Sequence, residues 1–153
     1  METNLKINSA VCTSRAQSER LLTLGLKKET ADMYYTNASL PFEKDKFHLE
    51  CKDFLQLQKE VIFQISPFTF IPAWSLHRLI EMMPDCITLK DNDIEEDYNN
   101  AALEIHHKAV IYESFMVKIY KFKKETNNLY DNLIDCIQWL IKEGYFNQEY
   151  LKE

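Results

Sequence analysis

A chain of 153 residues, 46% hydrophobic and 27% charged, is long enough to bury a core without disulfides or a structural metal, and its near-average globular composition favours neither disorder nor a fibrous repeat, so a single domain is expected. A formal net charge of -6 opposes a surface built throughout to neutralise phosphates, although a local basic patch can survive on an acidic body. Met1 to Val11 mixes Glu2, Asn4, Lys6 and Asn8 with its apolar residues and lacks the apolar region of a signal peptide, and no later run is long enough to cross a bilayer, so a cytoplasmic protein without membrane contact is expected.

Residues 1–12 read as a loosely ordered start. Ser14-Arg15-Ala16-Gln17 has capping-box spacing, which predicts a helix over 15–24. Gly25 should end it in a left-handed conformation, with Leu26 folding back onto Leu21. The stretch 36–70 carries the weakest signals: 46–58 admits a helix, and 61–70 reads as extended but is broken by Pro67. Leu76, Leu79, Ile80 and Met83 keep helical spacing before Pro84, so a helix is expected over 76–83, capped by Ser75. Trp74 and Leu79 then have the spacing of a hydrophobic staple, which predicts a buried Trp74. Runs rich in β-branched and aromatic residues at 86–90, 102–107, 110–115 and 117–123 read as a small antiparallel sheet.

The last element is a helix over 129–143, whose Leu133, Ile134, Ile137, Leu140 and Ile141 form one apolar face. Burying those five side chains contributes on the order of 7 to 15 kcal/mol gross, before conformational entropy is subtracted. Gly144 should end this helix as Gly25 ends the first, with Tyr145 placed to contact Leu140. The fold class is α+β: helices packed on a small antiparallel sheet in one domain.

With both glycines used as helix terminators, none remains for a phosphate-cradling loop, and no G-x-S-x-G occurs. His48 and Cys51 have H-x-x-C spacing and His77 and Glu81 lie one helical turn apart, but no second pair completes a tetrahedral zinc set. His106 and His107 are adjacent on a predicted strand and should face opposite sides. The acidic run from Asp91 to Asp97 begins like a calcium loop, yet Glu96 stands where glycine belongs and Ala102 where a bidentate carboxylate belongs. Asp131 and Asp135 share a helix face, where negative charge near the N-terminus suits the helix dipole as well as acid–base work. Cys12, Cys51, Cys86 and Cys136 are far apart and read as small apolar residues in a reducing compartment. No catalytic residue, metal or cofactor is assigned.

Lys118, Lys121, Lys123 and Lys124 interleave with Tyr120 and Phe122, a pattern shared by single-strand nucleic-acid platforms and by edge strands protected with lysine. Simple alternation puts Val117 and Ile119 on one face of that strand and Tyr120 and Phe122 on the other. An incompletely covered patch is expected there, with Val117, Ile119, Tyr120, Phe122, Lys121 and Lys123 as candidate contacts for a protein partner or a second copy.

Three stretches resemble a family of short, uncharacterised proteins encoded by Bacteroidetes genomes and their prophages. They are Thr13-Ser14 through Leu22, Leu24, Gly25 and Leu26 with Thr30-Ala31-Asp32-Met33; Ile71-Pro72-Ala73-Trp74-Ser75-Leu76 through Glu81 and Pro84; and Ile137-Gln138-Trp139-Leu140-Ile141 with Gly144-Tyr145. The resemblance implies a phage or mobile-element setting and carries over no catalytic residue. The expected function is that of an accessory protein acting through protein–protein contact. The alternatives are an enzyme whose groups come together only in the fold, and a weak single-stranded nucleic-acid binder working through 118–124.

Overall fold

Where a helix stops decides where a chain can turn, and two glycines set two of those stops. A computed structural model describes residues 10–36, 48–51, 69–88, 100–114 and 118–153. Helix α1 spans Arg15–Thr23, with the Ser14 hydroxyl accepting from Gln17 N–H while the Gln17 amide accepts from Ser14 N–H. Gly25, at φ 98°, lets Leu26 N–H return to Leu21 O and Gly25 N–H to Leu22 O, which satisfies the last turn's carbonyls. Helix α2 is Leu76–Glu81, shorter than expected because Met82 caps it and Met83 N–H tightens onto Ile80 O ahead of Pro84. Helix α3 is Leu129–Glu143, capped by the Asn128 side chain and ended by Gly144 at φ 76°. Tyr145 N–H returns to Leu140 O at 2.8 Å. We expect Gly144→Val to destabilise the protein by more than about 1 kcal/mol, since a β-branched residue is forced to positive φ; thermal melts of the two proteins check this.

The expected sheet is present, and a second one accompanies it. Strands β4 (Cys86–Thr88), β5 (Asn100–Ile105), β6 (Ala109–Ser114) and β7 (Tyr120–Glu125) form an antiparallel meander in chain order. Helix α3 packs across β6 and β7, and α1 and α2 pack beside it. Along β6, Val110 and Tyr112 are fully buried, and Tyr112 meets Trp139 of α3 at 5.7 Å between ring centroids. The other face of the same sheet carries Glu104, Glu113 and Lys123 around the buried Ala109 and Ile111.

The second sheet has the order β2-β1-β3, all antiparallel, from β1 (Met33–Thr36), β2 (His48–Cys51) and β3 (Phe70–Ala73). The helix admitted over 46–58 is therefore corrected at its start, since His48 to Cys51 pair residue by residue with Thr36 to Met33. The remainder of 46–58, and residues 61–68, lie outside the described residues. Pro72 sits on the edge strand β3, where no ladder donor need be lost. The loosely ordered start is also corrected for its last residues: Cys12 is buried and bridges to Ser75, and Tyr130 donates to Ala10 O.

Trp74 belongs to the core cluster that all three helices share and is fully buried, as its staple position predicts. Its indole nitrogen donates to the Thr30 hydroxyl at 3.0 Å, and that hydroxyl donates on to Lys27 O at 2.7 Å. Its own backbone is held on both sides by Thr13, whose N–H donates to Trp74 O while its hydroxyl accepts from Trp74 N–H. Thr30→Val keeps the volume but leaves the indole N–H without an acceptor. We expect a loss of about 1 to 3 kcal/mol, read from urea unfolding midpoints.

Candidate functional site

The β6–β7 turn is shaped by one strained residue. Lys118 has φ 48°, in the left-handed region that costs an ordinary side chain about 1 kcal/mol, and its N–H closes the turn onto Ser114 O. Ser114 N–H then donates to Ile119 O at 3.0 Å. The register breaks immediately afterwards: Glu113 faces Tyr120, whereas Tyr112 faces Phe122, so Lys121 is the extra residue of a bulge.

That bulge corrects the expected alternation. Tyr120 shares the polar face of Glu113 and Lys123, with the Lys123 ammonium 5.1 Å from its ring centre, while Phe122 turns to the helix side and stacks on Trp139 at 5.3 Å. Tyr120 and Phe122 therefore cannot form one aromatic platform. Of the six candidate contacts, Ile119 and Tyr120 reach the surface together, 49% and 51% exposed, with Lys123 exposed and Lys121 half-buried beside them. Phe122 is taken into the packing under α3, and Val117 lies outside the described residues.

The last lysine of this strand is on the helix side. Lys124 meets Asp135 Oδ2 at 2.8 Å, and Arg20 of α1 reaches Asp135 Oδ1, so one carboxylate ties β7 and α1 to α3. Asp131 accepts from the Gln17 side chain. The two carboxylates are thus tethers between elements, which settles their role more directly than the dipole argument. Burial raises the Asp135 pKa, but the hydrogen bonds from Lys124 and Arg20 outweigh it and hold the carboxyl below its ordinary value of 3.8. A depressed native pKa contributes stability that is complete above the unfolded value and lost as pH falls through the native one. Asp135→Asn should therefore cost about 1 kcal/mol at neutral pH, with the difference from wild type narrowing below about pH 4; unfolding midpoints across pH check it.

A second concavity lies at the other end of α3, where the N-caps of α1 and α3 approach β1. It is a cleft of about 330 Å³ with apolar walls from Val11, Tyr35, Leu49 and Tyr130 and polar groups from Gln17 and Asn128. Val11 on its rim is 65% exposed. Tyr35 donates to Thr13 O at 2.9 Å, and Cys12 Sγ lies 3.4 Å from the Tyr35 hydroxyl. Burial raises the Cys12 thiol above its ordinary pKa and pushes Tyr35 and Tyr130 up to about 12, so all three are neutral at physiological pH. No imidazole or carboxylate lines the cleft among the described residues, so neither a thiolate nucleophile nor a general base is formed there. Sequence reasoning missed this cleft because its walls come from four separate segments. The aromatic and β-branched run Tyr34-Tyr35-Thr36 was the available signal for the strand that carries Tyr35.

The remaining candidates stay apart. His48 and Cys51 both belong to β2. Glu81 pairs with Arg78 at 2.6 Å, and His77 is exposed. His106 and His107 follow β5, which ends at Ile105, so they lie in the hairpin turn and both are exposed, correcting the expectation of a strand pair on opposite faces. Cys12 and Cys136 are buried as small apolar residues, whereas Cys51 and Cys86 are exposed, and all four are free thiols. The run from Asp91 to Asp97 lies outside the described residues. Among the described residues no group of three or more histidine, cysteine, aspartate or glutamate side chains is placed to hold a metal ion, and no helix is long and apolar enough to cross a membrane.

No family model matches the chain, and neither a curated protein nor a solved structure matches it.

Proposed function

We propose that this protein is an accessory protein of the cytoplasm that acts by binding another protein, with its contact centred on Ile119 and Tyr120 and rimmed by Lys118, Lys121 and Lys123. The observation that carries the reading is that two consecutive large apolar residues, Ile119 and Tyr120, are each about half exposed between a strained turn and a bulge, when most other large apolar groups of the sheet are covered. Aromatic anchors within a charged rim are the usual make-up of an interface centre. Four free thiols suit a reducing compartment. The resemblance of the segments around Thr13, Trp74 and Trp139 to Bacteroidetes and prophage proteins supports a phage or mobile-element setting for the partner. Against the enzyme alternative stands the chemistry of the cleft, whose thiol and phenols are neutral and which no imidazole or carboxylate lines among the described residues. Against the nucleic-acid alternative stands the separation of Tyr120 from Phe122.

Affinity purification from the native host, with the wild-type chain and the double variant Ile119→Ser, Tyr120→Ser as baits, tests the reading. Removing an aromatic anchor at an interface centre costs about 2 kcal/mol, roughly a thirtyfold loss of affinity, so the partner should be retained by wild type and depleted with the variant. Both residues are half exposed, so the variant should melt within a few degrees of wild type. Identical protein sets on the two baits would remove Ile119 and Tyr120 from the function.

A further inference from the structure

Along an antiparallel strand, backbone groups point alternately to the two neighbours. Thr126 N–H donates to Lys108 O at 3.0 Å, which marks Ala109 and Glu125 as a pair without mutual hydrogen bonds. Ile111 and Lys123, two residues on, are a pair of the same kind. The N–H and C=O of Lys123 and Glu125 therefore point away from β6, towards the side on which β7 has no neighbour among the described residues. The bond from Ser114 N–H to Ile119 O turns the backbone groups of Tyr120 the same way. This edge can take one more strand.

Its charge restricts which strand. Tyr120–Glu125 carries three lysines and one glutamate in a chain whose net charge is -6. Lys124 is committed to Asp135, but Lys121 has no ion-pair partner among the described residues, and the exposed Lys123 meets Glu125 only at 3.5 Å, a contact of little strength in water. A second copy of β7 would bring the same positive excess, and like charges across a pair destabilise it. An acidic strand brings the complement.

We infer that the edge of β7, unpaired among the described residues, accepts an extended acidic segment of a partner protein as an added strand, with lysine selecting against self-pairing. This rests on the protein-binding reading above and specifies its mode: main-chain bonds to Tyr120, Lys123 and Glu125 supply the pairing, and Ile119 and Tyr120 supply the adjoining side-chain contact.

The test is residue-resolved amide hydrogen exchange of the full chain, alone and with a synthetic peptide that alternates glutamate and valine; a lysine–valine peptide is the control. The glutamate peptide should slow exchange at Lys123 and Glu125 by at least about tenfold, and the effect should fade as salt is raised. Lys121→Glu with Lys123→Glu should abolish it. Chemical-shift changes at Ile119 and Tyr120 without slowed exchange would overturn strand addition while leaving the protein-binding reading intact. Equal slowing by the lysine peptide would overturn selection by charge, and slowing that grows with protein concentration alone would replace the acidic partner with a second copy. No response to either peptide overturns the inference, and the comparison of host baits then decides the protein-binding reading independently.

Discussion

The burial of Trp74 is the constraint on which the rest of the structure depends. An indole taken wholly from water contributes on the order of 5 kcal/mol gross, but only if its one N–H finds an acceptor. Thr30 provides that acceptor and can do so only because its segment is folded into a short 3-10 turn that also engages its hydroxyl with Lys27. Asp32, two residues on, extends the same requirement. Asp32 takes both the N–H and the hydroxyl of Ser75, and this orients the Ser75 oxygen to accept from Arg78 N–H and start α2. Arg78 returns to Thr30 O at 2.8 Å and lies over the ring of Tyr150. A single buried aromatic thus obliges segments around residues 13, 30 and 75 to be in place together.

This explains which parts of the fold were legible in the sequence. The ends of α1 and α3 were readable because their signals are local: a serine three residues before a glutamine, a glycine after an apolar helical run. The burial of Trp74 was readable for the same reason. The three-stranded sheet was not, because β2 has four residues and its partner β1 lies outside any local window, so helical spacing nearby competed on equal terms.

The candidate site was legible in composition and illegible in geometry. Four lysines among aromatics marked 118–124 as unusual, and Ile119 and Tyr120 do emerge there. Alternation alone paired Tyr120 with Phe122, since an inserted residue leaves no mark that distinguishes Lys121 from any other strand lysine. The bulge becomes visible only against the register of β6. The cleft beside Cys12 was illegible for a different reason: its walls come from four separate segments, and its neutral thiol and phenols have no sequence motif.

The seating of α3 has a consequence for the order in which the protein is made. The buried face of the meander, with Val110 and Tyr112 at its centre, is covered by a helix that begins only at Leu129. A ribosome releasing the chain therefore presents the four-stranded sheet with its apolar face bare until the last helix emerges. Helix α1, made first, likewise waits for Asp135 to neutralise Arg20 across 115 residues. Early segments of this protein are held open for late ones, and the interval between them is when the nascent chain most needs protection from aggregation.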